Sequence, residues 1–154
     1  NYYLIMFFPE VFSYELFEMY LPGSSWNQSN ELKVATDYES FDGRKNYADN
    51  TIGGYYAARI AVLEFLDRIK RQASVLVLRF ETHEYWASLG VWVVRSAARK
   101  SLGTEAFIFN NKEDMLKYTR DLILSNLNYD VNDLLKRSVL LNQIKNQTKL
   151  ISFV

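Results

Sequence analysis

Residues 53–80 read GGYYAARIAVLEFLDRIKRQASVLVLRF, and this segment sets the fold class. Apolar residues recur at helical spacing from Tyr55 to Ile69, which predicts a helix that ends near Gln72. Residues 74–80 form a nearly continuous run of Val, Leu and Phe, which predicts a strand buried on both faces. A helix followed closely by a buried strand is an α/β packing unit. We therefore expect an α/β fold with a mixed sheet of about four strands packed by helices.

Upstream of this segment the sequence predicts two strands and one helix. Residues 2–8 are bulky and apolar and stop at Pro9, which predicts an interior strand. Residues 13–20 place apolar side chains opposite two glutamates, which predicts an amphipathic helix. Residues 32–38 predict a second strand.

The sequence beyond residue 80 predicts three further helices and one edge strand. In chain order these are a helix over 89–102, the edge strand over 105–109, and helices over 114–124 and 131–145. We expect a single domain over residues 1–145, followed by a short C-terminal tail over residues 146–154.

The composition excludes several classes of protein. The 154 residues carry 18 basic and 18 acidic side chains, so a strongly basic nucleic-acid-binding protein is not indicated. The lack of cysteine excludes a disulfide scaffold, a thiolate metal site and a cysteine nucleophile. The single histidine, His83, excludes a histidine-rich metal site. The longest apolar run is far below the roughly 20 residues that cross a bilayer, so we expect no membrane partner.

The neutral total conceals two basic regions. Residues 43–72 hold six bases and three acids, and residues 131–154 hold four bases and one acid. Any contact with nucleic-acid phosphates is therefore expected to be local, through one of these two regions. The alternative is that these charges form an ordinary solvated surface.

The C-terminal tail carries a spaced set of residues that is typical of a docking peptide. Gln147 is followed at the third position by Leu150 and at the sixth by Phe153, and Val154 ends the sequence. A spacing of three is the period of a 3₁₀ turn, which places Leu150 and Phe153 side by side. The pattern resembles the peptide by which replication and repair proteins bind the sliding clamp PCNA, with Val154 where an aromatic residue is usual. The alternative is an apolar terminus folded onto its own domain.

Six residues in or beside the central segment are candidates for contacting nucleic acid. Arginine suits bidentate phosphate contacts, and a tyrosine beside the glycine pair is suited to stacking on an unpaired base. The alternatives are ion pairs that join helix to sheet, and tyrosine packing in the core. The candidates are Arg44, Tyr55, Tyr56, Arg59, Arg79 and Arg95.

Asp37 and Glu39 are the best candidates for a catalytic pair. Alternation along a strand places both on one face, and two or three converging carboxylates are what metal-dependent hydrolysis requires. Acidic solvent-facing surfaces are much commoner than such sites, so no catalytic residue, metal or cofactor is assigned. Arg59 and Glu64 lie about 140° apart around one helix, which disfavours a shared pocket.

Three runs in the middle of the chain resemble the archaeal Nre proteins. They are GGYYAAR at 53–59, VLVLR at 75–79 and LGVWVVR at 89–95. The resemblance covers about residues 3–102 and the tail, whereas residues 103–146 carry little of it. The family pattern has Pro and Glu where this chain has Ser88 and Ser96. Family members also tend to carry a cysteine-containing N-terminal portion, so we expect this chain to be part of a longer protein.

The resemblance implies a DNA-repair factor that the sliding clamp PCNA brings to DNA. We expect such a protein to be cytoplasmic and nucleoid-associated, and to contact DNA weakly if at all by itself. Two alternatives remain open: a metal-dependent nuclease or other nucleic-acid-processing enzyme centred on Asp37 and Glu39, and a non-catalytic protein-interaction module.

Overall fold

The computed structural model describes residues 1–85 and 90–146. The chain divides into two compact units, Asn1–Ala106 and Phe107–Val154. Within the described residues the first unit contains four strands and two helices, and the second contains three helices. None of the helices in these residues is long and apolar enough to cross a membrane.

A four-stranded mixed sheet forms the centre of the first unit, which confirms the predicted α/β class. The strands are β1 (Tyr2–Phe8), β2 (Ser13–Tyr20), β3 (Lys33–Glu39) and β4 (Ser74–Glu81), and the helices are α1 (Ile52–Ile69) and α2 (Val91–Ser101). The strand order is β1-β4-β2-β3. Strand β4 runs antiparallel to β1 and parallel to β2, and β3 runs antiparallel to β2. All eight residues of β4 are buried, as predicted for this segment.

Residues 13–20 form a strand, so the prediction of an amphipathic helix is wrong. This strand, β2, lies between β4 and β3, and its glutamates Glu15 and Glu18 are only 1% and 3% exposed. Tyr14 and Leu16 pack against α1, whereas Phe17 alternates with them and lies on the opposite face of the sheet. Glu18 resembles a solvent-facing residue in the sequence because spacing alone cannot show that its carboxylate is buried beside Arg79.

Strand β1 lies at an edge of the sheet, which corrects its prediction as an interior strand. Within the described residues it pairs only with β4, and Tyr2 is half exposed. Its apolar side chains still have cover on both faces of the sheet, because Ile5 packs against the core beneath α1 and Met6 is buried. A bulky apolar run therefore fits an edge strand whose two faces are both covered.

Helix α1 packs on the sheet through an apolar core. Tyr55, Val62 and Leu66 of α1 pack with Val75 and Val77 of β4 and with the β2 residues that face the helix. On its other side α1 contacts α2 through a second buried cluster, which consists of Ala58, Ala61 and Ala98. These small side chains let the two helix backbones approach each other closely.

The glycine pair at the start of α1 allows this helix to meet two neighbours at once. A Cβ atom at Gly54 would overlap the carboxylate of Glu18 on β2, and one at Gly53 would lie 2.5 Å from Cγ1 of Val91 at the start of α2. Because glycine has no Cβ, the first turn of α1 can pack against both elements. This contact explains the two glycines of the GGYYAAR run.

The second unit contains three helices where the sequence predicted two. These are α3 (Lys112–Leu127), α4 (Asn132–Arg137) and α5 (Val139–Asn146). The predicted helix over 131–145 divides at Ser138, which has non-helical backbone angles and whose hydroxyl accepts the N–H of Leu141. Serine favours such capping positions over helix interiors.

The predicted edge strand over residues 105–109 is absent, and these residues are irregular. The rings of Phe107 and Phe109 lie 5.2 and 5.4 Å from the ring of Tyr118 on α3. The aromatic residues that suggested a strand are thus placed by packing against a helix within the second unit.

Candidate functional site

A buried cluster of three charged residues lies between the parallel strands β2 and β4 and the first turn of α1. Arg79 donates from Nη1 to Oε1 of Glu18 at 2.5 Å and from Nη2 to Oε2 of Glu81 at 3.3 Å. Arg79 is 5% exposed, and both glutamates are buried as well. We call these three residues the Arg79 cluster. It places two carboxylates against one guanidinium group.

The remaining oxygens of the Arg79 cluster also have donors. The hydroxyl of Tyr20 donates to Oε2 of Glu18 at 2.9 Å, and the backbone N–H of Trp26 donates to Oε1 of Glu81 at 3.3 Å. Burial raises the pKa of Glu81, although Arg79 and the Trp26 N–H act in the opposite direction. The cluster is therefore a satisfied interior network that joins both central strands to the loop after β2.

Asp37 anchors the chain at the entrance to α1. Its Oδ2 accepts the backbone N–H groups of Asn50 and Thr51 at 3.0 and 2.8 Å, and the Thr51 hydroxyl at 2.8 Å. Nη1 of Arg44 lies 3.4 Å from its Oδ1. Burial acts to raise the pKa of Asp37, but the hydrogen bonds from Thr51 and Asn50 and the charge of Arg44 outweigh it, so this pKa is lowered.

Glu39 lies on the same face of β3 as Asp37, as predicted, but it has different partners. Arg59 of α1 donates to it from Nε at 2.9 Å and from Nη2 at 2.8 Å, and the Tyr55 hydroxyl donates at 3.0 Å. Glu39 is 3% exposed. Across residues 1–85 and 90–146 no group of three or more metal-ligating side chains comes together. The geometry of Asp37 and Glu39 is thus that of two separate helix-to-sheet anchors.

Two of the six candidate nucleic-acid-binding residues lie inside the protein, where the alternatives, tyrosine packing and ion pairing, describe their contacts. Tyr55 is fully buried and Arg79 nearly so. Tyr55 belongs to the buried stripe of α1, where its ring packs edge-on against Tyr14 at 5.1 Å, and burial raises its pKa. Arg79 points from the sheet into the Arg79 cluster. Neither side chain is available to a phosphate or a base in this conformation.

Three of the other four candidates are held by contacts within the first unit. Arg44 donates to the backbone carbonyls of Tyr38 and Tyr47 at 2.9 and 3.0 Å. Arg59 forms the ion pair with Glu39, and the Tyr56 hydroxyl accepts the N–H of Ala48 at 2.9 Å. Structural ion pairing, the alternative to phosphate binding, therefore describes the contacts that Arg59 makes.

Arg95, the sixth candidate, is exposed on α2 next to a second ion pair. Glu64 of α1 accepts from Nε and Nη2 of Arg99 at 2.7 and 2.5 Å. Arg59 and Glu64 thus have separate partners, which confirms that they do not share a pocket. A groove of about 320 Å³ lies beside this ion pair; its lining consists of Ala61, Glu64, Phe65, Arg68, Arg99 and Leu102.

The spacing of Glu18 and Glu81 in the sequence does not mark them as members of a buried site. Arg79 was the available signal, because it interrupts the apolar run of a central strand at residues 74–80. An arginine is almost never buried without a partner. A buried carboxylate on the neighbouring strand was therefore to be expected, and Glu18 pairs with Arg79 in the register of β2 and β4.

Replacing Asp37 with asparagine is expected to lower the free energy of unfolding by about 1–3 kcal/mol at neutral pH, because Asp37 accepts three hydrogen bonds as a charged group. The folded-state pKa of Asp37 is lowered, so its contribution is present above its ordinary value of 3.8 and is lost as pH falls through the folded-state pKa. Urea unfolding at neutral and at acidic pH measures this difference.

The exposed residue Asp42 provides the control for this experiment. Asp42→Asn should change stability by no more than about 0.5 kcal/mol. A loss in Asp37→Asn that is equally large in strong acid would contradict the assignment of the lowered pKa.

These features define an α/β domain whose buried charges anchor a helix to a sheet. A family model described as "Archaeal Nre, C-terminal" matches residues 39–153. The chain belongs to this archaeal Nre family. The match includes residues 103–146, where the sequence motifs showed little resemblance.

The chain is also similar in sequence to two archaeal proteins that are named DNA repair proteins. The chain is 37% identical over 107 residues to the DNA repair protein NreA of Haloferax volcanii, an alignment that covers 68% of this chain and 26% of that protein. It is 34% identical over 149 residues to the DNA repair protein NreB of Archaeoglobus fulgidus, covering 96% of this chain and 37% of that protein. The chain thus spans between a quarter and two fifths of these relatives. No solved structure matches it.

Proposed function

We propose that this chain is the C-terminal part of an archaeal DNA-repair factor that is recruited to DNA by the sliding clamp PCNA. The repair role is supported by its family and by the relatives, which are named DNA repair proteins. The observation that carries clamp recruitment is the spacing of four tail residues, Gln147, Leu150, Phe153 and Val154. These four lie outside the described residues, and the motif begins directly after Asn146, where α5 ends.

The spacing gives this peptide a defined way to bind. In a 3₁₀ turn Leu150 and Phe153 form a two-pronged apolar plug for a pocket on the partner, and Gln147 lies one turn earlier, where it can donate at the rim. Val154 buries less apolar area than an aromatic residue, so the affinity is lower by about 1 kcal/mol or more than with an aromatic pair.

Truncating the plug should abolish most of the clamp binding. The double variant Leu150→Ala/Phe153→Ala is expected to bind an archaeal sliding clamp at least about a hundredfold more weakly, because it removes both buried anchors. Isothermal titration calorimetry with the purified clamp measures the affinity, and circular dichroism verifies that the variant is folded.

A matched substitution within the same peptide provides the control. Ser152→Ala changes a residue between the two anchors and should leave the affinity within about threefold of the unmodified chain. Equal affinities of the double variant and the unmodified chain would refute the proposal, as would a lack of clamp binding by the unmodified chain.

A further inference from the structure

Basic residues are concentrated in the helical layer of the first unit. Helices α1 and α2, with residues 70–71 that follow α1, carry seven basic side chains and two acidic ones. The chain as a whole has equal numbers of both charges. The layer is therefore positive, and the remainder of the chain is negative to the same extent.

This positive charge faces solvent beside the groove between the two helices. Arg68 and Arg99 line the groove together with Glu64, and Arg95 and Arg99 lie one turn apart on α2. Glu64 forms its ion pair with Arg99, and the charge of Arg95 also acts on it. Neither Arg68 nor Arg95 has a carboxylate within 4.0 Å among the described residues. This part of the surface thus carries three guanidinium groups and one carboxylate.

An exposed aromatic residue lies on the same helix as two of these arginines, Arg95 and Arg99. Trp92 lies three residues before Arg95 and seven before Arg99, which places all three on one face of α2. Its side chain is 54% exposed. Arginine and an exposed aromatic side chain are the combination that binds a nucleic-acid strand, with phosphates on the guanidinium groups and a base on the ring.

We propose that the outer face of α1 and α2, defined by Arg68, Trp92, Arg95 and Arg99 and called here the basic face, binds the sugar–phosphate backbone of DNA. This inference rests on the proposed repair function and assigns its DNA contact to a surface. Charge complementarity selects the occupant, because the face is positive in a chain of zero formal charge and DNA is a dense polyanion. Guanidinium groups bind phosphate oxygens, which are the same in every DNA sequence, so the contact is with the backbone and is independent of sequence.

The test compares two double variants of the full chain that remove equal charge. Arg68→Gln/Arg95→Gln removes two bases from the basic face, and Lys33→Gln/Lys117→Gln removes two exposed bases elsewhere. Fluorescence anisotropy with a labelled DNA duplex, repeated at several salt concentrations, gives the affinity and its salt dependence. Urea unfolding verifies that both variants are folded.

The variant of the basic face should bind DNA at least about tenfold more weakly, and the slope of log affinity against log salt should fall by about 2 for the duplex. The control variant should retain the affinity and slope of the unmodified chain within about twofold. Equal losses in both variants, or no loss in either, would overturn the proposal. If the variant of the basic face binds DNA as tightly as the unmodified chain, the partner of this face is instead an acidic protein surface.

Trp92→Ala distinguishes the form of DNA that binds. The titration is repeated with a labelled single strand. If an unpaired base stacks on the indole, this variant loses affinity for the single strand and keeps its affinity for the duplex. An equal loss for both forms assigns the contact to the sugar–phosphate backbone that they share. Either result supports DNA binding by the basic face. If Trp92→Ala keeps its affinity for both forms of DNA, the contact assigned to Trp92 is overturned. No clamp is present in these titrations, so their failure is distinguishable from failure of the clamp-binding tail.

Discussion

Replacing Arg79 with methionine is expected to lower the free energy of unfolding by about 3–5 kcal/mol at neutral pH. The substitution retains an unbranched side chain of similar length but leaves Glu18 and Glu81 buried without their cation. An uncompensated buried charge is much more costly than a neutral group in the same place. Guanidinium chloride unfolding, monitored by circular dichroism, measures the loss.

The matched control neutralises the whole Arg79 cluster. In the triple variant Glu18→Gln/Arg79→Met/Glu81→Gln no buried charge remains, so its stability should exceed that of Arg79→Met, although three charged residues are gone. The loss in Arg79→Met should also shrink as pH falls, because burial raises the pKa of Glu81 and protonation removes its unpaired charge. A triple variant that is less stable than Arg79→Met would contradict this account.

Gly54→Ala is expected to destabilise the domain by about 1–3 kcal/mol, close to the upper value. The added methyl group would overlap the carboxylate of Glu18, which the short bond to Arg79 holds in place. To remove this overlap, either α1 must move away from the sheet or the Arg79 cluster must rearrange. Thermal and denaturant unfolding measure the change.

Gly103 and Gly53 supply the comparison within the same chain. A Cβ atom at Gly103 would lie 3.4 Å from its nearest neighbour, the carbonyl oxygen of Lys100, so Gly103→Ala should be nearly neutral. Gly53→Ala should fall between the two, because the methyl group of Val91 that it meets can rotate away. Equal effects at positions 54 and 103 would show that the close approach to Glu18 is not the cause.

Helix α1 and strand β4 could be predicted because their signals are local. Apolar spacing along α1 and the continuous apolar run of β4 each specify one structure without reference to distant residues. The order of the strands in the mixed sheet could not be predicted. The choice of neighbours for β4 depends on packing between residues that are far apart in the sequence.

Strand β2 shows why part of the candidate site remained hidden. Glu15 and Glu18 are read as solvent-facing in any analysis of amphipathic spacing, and only the burial of Arg79 beside Glu18 reverses that assignment. The placement of Asp37 and Glu39 on one face followed from strand alternation, since it needs only the period of two. Their partners did not follow, because Arg44, Thr51 and Arg59 reach them from other elements.

The position of β4 between β1 and β2 determines how late in translation the sheet can form. β1 and β2 are consecutive in the chain but do not pair with each other; Ser13 of β2 pairs instead with Ser74, on a strand that emerges much later from the ribosome. Closing such a long loop slows folding. During translation the apolar faces of β1 and β2 therefore have no native strand between them until Glu81 is released, and this interval is when the nascent chain is most open to aggregation or to chaperones.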